Sequence, residues 1–339
     1  MPNDILTRAI DAAASGQHLT SDHVSAVLTE IMEGRSDDVQ TAAFLIALRT
    51  KGETVPELIG LARTMRSLAE PVKVRGDLVD TAGTGGGPST FNVSTTAALV
   101  AAGAGCAVAK HGNRSSTSLS GSADLLEALS VNIELTPEQV AASITETGFG
   151  FMFAPRHHRA TAHVVPVRKA LAVRTIFNFL GPLTNPAGAR RQLLGVSDRR
   201  YQESIAEALV GLGAERALVV SGDDGIDEIS ITGPTRMIEV RDGGTEEHFV
   251  APEDFDLPRA ELGEVAGGTP AENAAATRAV LEGEQGPRRN LVVLNAAAAI
   301  LVGGKAGDLA GGVRAAEQAI DSGAAASVLA RLVSFTGQA

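Results

Sequence analysis

Apolar residues recur at three- and four-residue spacing over residues 5–14, 24–33, 39–48 and 58–68, the period of helices with one buried face. Ser15-Gly16, Gly34-Arg35-Ser36 and Gly52-Glu53-Thr54 separate these stretches and carry the residues that stop helices. The pattern predicts a small helical bundle without strands, followed by a linker over residues 71–76. From Asp77 the pattern changes. Short apolar runs at 78–80, 106–109, 151–153, 193–196, 217–220, 228–231 and 235–240 read as strands. Helical stretches at 123–128, 137–147, 160–172, 201–212, 271–281 and 291–302 lie between or beyond them. Strands alternating with helices predict a mostly parallel sheet covered on both faces. Asp242-Gly243-Gly244 predicts a hairpin turn, and so an antiparallel edge. The predicted fold class is α/β, with a small N-terminal helical domain at 1–70 and a larger α/β domain at 77–339.

Composition narrows the function classes. The chain has 339 residues, 44% hydrophobic and 20% charged, with a net charge of −11. That acidity argues against a nucleic-acid or anionic-membrane surface. Cys106 is the single cysteine; it allows no internal disulfide, fits a cytoplasmic setting and reads as a small core residue in an apolar strand. No basic start with an apolar core suggests a signal peptide. The apolar run at 291–302 is too short to span a membrane and carries Asn295.

The candidate chemistry centres on residues 80–95, where Gly83, Gly85, Gly86 and Gly87 leave four of five consecutive positions without a Cβ. Between a strand and a helix, such a loop opens backbone N–H groups to an anion at the positive end of the helix. Asn92, Ser94 and Thr95 add side-chain donors. Neither a G-x-x-x-x-G-K-[ST] nor a G-x-G-x-x-G pattern is present, so ATP or a dinucleotide is not the expected ligand. A second stretch, residues 110–118, begins with Lys110-His111 and includes Asn113, Arg114, Ser115, Ser116, Thr117 and Ser118. Read as a loop after the next strand, it supplies two fixed positive charges and many donors to the same space.

Residues 223–228 hold four carboxylates in six positions. Hard divalent cations take oxygen ligands, and magnesium uses one or two carboxylates with substrate phosphates. Asp227-Glu228, read as the start of a strand, is the better pair; Asp223-Asp224-Gly225 also suits a plain turn. His157, His158 and His163 lack a carboxylate or thiolate at ligand spacing, which argues against a metal site there. Arg168 suits either a surface position or a bidentate pair with a substrate carboxylate. The apolar, proline-bearing stretch at 177–186 reads as a long connection.

Gly83-Thr84-Gly85-Gly86, Phe91-Asn92-Val93-Ser94-Thr95, Lys110-His111-Gly112-Asn113-Arg114, Gly181-Pro182-Leu183-Thr184-Asn185-Pro186 and Asp227-Glu228 occur in the order and approximate spacing of the anthranilate phosphoribosyltransferase family. The resemblance covers nearly the whole chain. It implies the fold of class II nucleoside phosphorylases, with part of residues 156–180 packing on the helical domain, and a homodimer formed through that domain. It implies magnesium-dependent transfer of a phosphoribosyl group from phosphoribosyl pyrophosphate to anthranilate, and leaves association with anthranilate synthase open. Gly83, Gly86, Thr90, Asn92, Ser94, Thr95, Lys110, Asn113, Arg114, Ser115, Ser116, Thr117, Ser118 and Ser122 would hold the donor. Ser94, Asp227 and Glu228 would hold magnesium, and Gly83, Asn113 and Arg168 would contact anthranilate. Lys110 and Arg114 would neutralise the leaving group, with His111 either a proton acceptor or a structural hydrogen bonder. One departure stands out: Gly87-Pro88 replaces the aspartate-glycine usual in this family, in a loop one residue shorter. Rival readings are a pyrimidine nucleoside phosphorylase-like enzyme and a non-catalytic nucleic-acid-binding relative.

Overall fold

The computed structural model describes residues 2–115 and 118–338. Helices α1 (Asp4–Ala14), α2 (Ser21–Met32), α3 (Asp38–Lys51) and α4 (Val55–Ser67) form the N-terminal bundle. Each begins where a polar side chain is available: Asn3, Thr20 and Asp37 accept from first-turn N–H groups, which satisfies donors the helix itself leaves open. α4 starts three residues before the apolar pattern because Glu57 reaches back to the Thr54 N–H at 2.7 Å. The buried Glu57 carboxylate also accepts from Leu19 N at 2.8 Å and Lys51 Nζ at 3.0 Å.

The remaining elements, in chain order, are β1 (Leu78–Gly83), α5 (Val93–Gly103), β2 (Ala107–Gly112), α6 (Ser122–Ala128), α7 (Pro137–Thr147), β3 (Phe149–Phe153), α8 (Ala154–His157), α9 (Val165–Leu171), α10 (Phe177–Leu183), β4 (Arg191–Gly195) and α11 (Gln202–Gly211). There follow β5 (Arg216–Gly222), β6 (Thr235–Arg241), β7 (Gly244–Val250), α12 (Pro270–Leu281), α13 (Pro287–Val302), α14 (Leu309–Asp321) and α15 (Ala324–Thr336). The sheet order is β3-β2-β1-β4-β5-β6-β7. β3 to β5 run parallel, and β6 and β7 add the antiparallel edge expected from the turn at 242–244. The chain thus has an N-terminal helical domain and a larger α/β domain with a mostly parallel sheet.

One sheet face packs on α5, α12, α13, α14 and α15 through a core that includes Leu99, Val220 and Leu294. The other face, through Leu194, Val219 and Ile238, shares a core with Leu28, Phe44 and Leu61 of the bundle and with Val164, Val167, Phe177 and Leu180. Three sequence expectations are corrected. Residues 228–231 form no strand, because Ile229 finds its backbone partners on the Asn295 side chain rather than on a neighbouring strand. Residues 177–186 are largely helical in α10, with Pro182 inside it. Residues 160–172 divide into a 3₁₀ turn, Arg159–His163, and α9, which has Pro166 near its start. Cys106 lies just before β2, buried, and burial pushes its thiol up to about 11, as befits an inert core residue.

Candidate active site

The chain leaves β1 toward β2 on one side, while β4, its other neighbour, leads to β5. At such a reversal the loops beyond the two strand ends diverge and leave a crevice, the usual ligand site of open α/β sheets. The glycine loop leaves β1 here, and Ser197 follows β4 on the facing side. Ser197 Oγ donates to Gly85 O at 2.6 Å, and Ser197 N donates to Thr84 Oγ1 at 3.2 Å, so the two strand ends are tied together.

Gly83 and Gly195 are register partners in β1 and β4, and both are needed for one reason. A Cβ at Gly83 would collide with Asp227 Oδ2, and one at Gly195 with Asp227 O. The acidic pair is therefore seated in a notch between two glycines. Asp227 Oδ2 accepts from Gly85 N at 2.7 Å, and Glu228 Oε1 accepts from Thr90 Oγ1 at 3.0 Å. Glu228 Oε2 is buried without a hydrogen-bond partner among the described residues. Burial raises the Asp227 carboxyl pKa; the Gly85 hydrogen bond and the charge of Arg174 oppose that shift. Burial and then the neighbouring Asp227 raise Glu228 well above the ordinary carboxylate range.

Asn295 is the residue that sequence reasoning missed here. Its Oδ1 accepts from Ile229 N at 2.9 Å and its Nδ2 donates to Ile229 O at 3.0 Å, so a helix side chain holds the segment bearing Glu228 as a strand would. The signal was present as the lone amide in the apolar stretch 291–302. Asp223 and Asp224 are the plain turn: Asp223 pairs with Arg199, and Asp224 accepts from Ser230 Oγ at 2.7 Å and Thr232 Oγ1 at 2.6 Å.

Lys110 and His111 lie on β2, not in the loop expected at 110–118. Strand placement aims the buried Lys110 Nζ under the glycine loop, where it donates to Thr81 O at 2.5 Å, Thr81 Oγ1 at 3.2 Å and Ser94 Oγ at 3.4 Å. Burial lowers its pKa to about 8 against the opposing charge of Asp80. Asp80, itself fully buried, accepts from Asn185 Nδ2 at 2.8 Å and His111 N at 3.1 Å.

The other expected donor-site residues separate by what they already bond. Asn92 Oδ1 accepts from Asn273 Nδ2 at 2.8 Å and Ser120 Oγ at 2.9 Å, so this side chain ties the loop at 118–121 to α12. Thr95 is fully buried in the first turn of α5, and its hydroxyl has no hydrogen-bond partner among the described residues. Asn113 Oδ1 accepts from Arg114 N at 2.7 Å, and Ser122 Oγ donates to Asn113 O at 3.2 Å. Ser115 and Ser118 join through their hydroxyls at 2.7 Å. Arg114 pairs with Asp124 at 3.0 Å and Glu127 at 2.5 Å on the exposed side of α6. Ser116 and Thr117 lie outside the described residues. Gly86 packs against the Arg174 guanidinium, and Arg168 lies over the Phe177 ring at 5.4 Å with no carboxylate in ion-pair range among the described residues.

His111 and His158 lie 5.0 Å apart between ring centres, their planes tilted by 51°. His111 Nδ1 lies 3.3 Å from Gly181 O, and His158 Nε2 lies 3.0 Å from Thr184 O. Burial first, and the neighbouring imidazoles after it, lower His111 from 6.5 to about 3; burial lowers His158 to about 4. Both rings are neutral near pH 7, which leaves His111 a weak base. The unfolded chain takes up these protons first as the pH drops, so their contribution is complete above about 6.5 and is lost on acidification toward 3–4. The melting temperature is therefore expected to fall between pH 7 and 5, and less steeply in His158→Gln; parallel curves for the two proteins would refute this assignment. No group of three or more His, Cys, Asp or Glu side chains suited to a metal is present among the described residues.

Crevice, glycine loop and acidic pair define a two-domain glycosyl transferase. The glycosyl transferase family helical bundle domain matches residues 7–69, and the family's a/b domain matches residues 75–326. The curated anthranilate phosphoribosyltransferase of Rubrobacter xylanophilus is 54% identical over 331 residues, covering 97% of each chain. The crystal structure of anthranilate phosphoribosyltransferase from Thermus thermophilus superposes with a TM-score of 0.92 at 46% identity, covering 97% of this chain and 99% of that one. The Saccharomyces cerevisiae anthranilate phosphoribosyltransferase, in complex with PRPP and Mg, matches at a TM-score of 0.90 and 28% identity over 98% of both chains. The chain belongs to the anthranilate phosphoribosyltransferase family.

Proposed function

We propose that this chain transfers the 5-phosphoribosyl group of phosphoribosyl pyrophosphate to the amine of anthranilate, a step of tryptophan biosynthesis, with magnesium as cofactor. The observation that carries the reading is Glu228 Oε2, which has no hydrogen-bond partner among the described residues and is buried beside a glycine loop with the Lys110 ammonium beneath it. A buried carboxylate oxygen with no donor fits a hard cation. Asp227 and Glu228, with the Ser94 hydroxyl, offer the oxygen ligands, and donor phosphates would complete the shell of an ion that keeps few protein ligands. When bound, magnesium supplies positive charge to the diphosphate oxygens.

The backbone of Gly83 and Gly86 and the start of α5 at Ser94 and Thr95 receive the diphosphate. Lys110 neutralises the charge that develops as the bond from ribose C1 to oxygen breaks, a role that needs a fixed cation in a dry site. Its hydrogen bonds to Thr81 and Ser94 hold it in place before the reaction begins. Thr90 and Asn92 act a step removed, by fixing Glu228 and the loop at 118–121. Arg114, offset by two carboxylates, shapes the rim with Asn113, Ser115, Ser118 and Ser122 rather than supplying the main charge; Ser116 and Thr117 would belong to the same rim.

Anthranilate enters between Gly83, Asn113 and Arg168, where the guanidinium has no carboxylate of its own. The amine lone pair forms the C1–N bond from the face opposite the departing diphosphate, which carries away the C1–O electron pair, and configuration inverts at C1. The surplus ammonium proton passes to diphosphate or solvent. An aromatic amine is neutral and nucleophilic at pH 7, so positioning rather than a strong base sets the rate, in keeping with the weak basicity of His111.

The test is loss of anthranilate fluorescence on mixing the protein with anthranilate, phosphoribosyl pyrophosphate and magnesium. No loss, with turnover of a pyrimidine nucleoside and phosphate instead, would favour the phosphorylase alternative. Arg168→Ala is expected to raise KM for anthranilate about tenfold or more while KM for the donor changes little, the effect of losing a charge-assisted pair. An equal rise for both substrates would count against the anthranilate role. The same reading divides the chain into a helical domain at 1–70, with part of 156–180 packed on it, and an α/β domain at 77–339. It places the protein in the cytoplasm as a homodimer. Val39 at 77% exposure and Ile46 on α3, with Val165 on α9, supply apolar surface for that dimer.

A further inference from the structure

Arg174, between α9 and α10, has a role that neither the family motifs nor the site described so far assigns. Its guanidinium lies over the Phe179 ring at 5.5 Å, and Phe179 in turn packs on Tyr201 at 4.2 Å. Nη1 donates to Ser197 Oγ at 3.3 Å, and Ser197 Oγ donates to Gly85 O, so the group is joined to the glycine loop. Gly86 covers it: a Cβ there would collide with Arg174 Nη1 and crowd Cζ. Nη2 is buried and has no acceptor among the described residues, and no carboxylate there lies within ion-pair distance of the group. Gly87 puts no side chain on the loop that could serve as one.

A buried charged donor left without a partner is costly, and an oxyanion is what satisfies it. The guanidinium fork matches phosphate oxygens, and stacking on Phe179 fixes its plane. Gly85 and Gly86 both adopt positive φ, +63° and +86°, a backbone that glycine holds without strain and that sets main chain rather than side chains beside the guanidinium. We propose that Arg174 is a further binding residue for the donor, taking diphosphate oxygens through Nη2 when the glycine loop receives them. The proposal rests on the donor site assigned above and adds to it a cation on the side of the loop away from Lys110.

Calorimetric titration of the full chain with phosphoribosyl pyrophosphate and magnesium tests it. Arg174→Ala is expected to weaken donor binding about tenfold or more, the effect of losing a hydrogen bond to a charged group, and Arg174→Lys to fall between it and wild type. Ser197→Ala removes the link to the loop but keeps the guanidinium, and is expected to stay within about threefold of wild type. Equal weakening by Ser197→Ala and Arg174→Ala would reduce Arg174 to a loop support and overturn the proposal. Donor binding by Arg174→Ala within about twofold of wild type would overturn it too. Absence of binding by the wild type would sink the donor-site reading itself, and the proposal with it. If Arg174→Ala fails to fold, Arg174→Gln carries the same comparison.

Discussion

Replacing Glu228 by glutamine is expected to reduce magnesium-supported turnover about a thousandfold or more, the scale of losing a group that anchors transition-state charge, without lowering the stability of the ligand-free protein. The two effects separate because Glu228 is poorly accommodated without a cation. Its Oε2 is buried with no donor among the described residues, and Asp227 adds a like charge next to it. A neutral amide keeps the contact with Thr90 and removes the repulsion, and that relief offsets the cost of burying its N–H₂ without an acceptor, so no net loss of stability is expected. Steady-state turnover with a magnesium titration, read beside a melting curve, checks both halves. A variant that melts earlier than wild type, or one that keeps more than about a tenth of its turnover, would show that Glu228 serves the fold.

Lys110→Met should lose on both counts. The ammonium is the fixed cation beneath the glycine loop, and its removal is expected to lower kcat/KM for the donor about 10²- to 10³-fold while KM for anthranilate holds. It is also the charge that offsets the fully buried Asp80. Asp80 keeps hydrogen bonds from Asn185 and His111, but removing one member of a buried pair leaves a charge without compensation, and a loss of about 3 kcal/mol is expected. Urea denaturation and donor-dependent kinetics together test this. If both substrates lost affinity alike, the lysine would be a structural counter-charge only.

How much of this was legible in the sequence depended on the range of the forces involved. The α1 to α4 bundle and the parallel strands were readable because periodicity and capping are local, as at Thr54 and Glu57. The glycine loop was readable because positions without a Cβ have few other uses. The segment carrying Glu228 was misread as a strand, since four apolar-flanked residues look alike whether a strand or the Asn295 side chain bonds their backbone. Lys110 and His111 were placed in a loop because charge on a central strand runs against expectation; only Asp80, thirty residues earlier, makes it tolerable. Arg174 was unreadable. Nothing near it in sequence names the glycine it packs against or the serine it bonds, and both lie in loops after β1 and β4 that meet only in the folded chain.

The glycine loop leaves no room for a side chain at its fourth glycine. Gly87 lies so close to the turn at Gly225 that a Cβ would meet Gly225 O, and the Pro88 ring flanks the same turn. An acidic side chain at this position therefore requires the loop or the facing turn to move first, so any gain in charge there carries a backbone cost before a new contact forms.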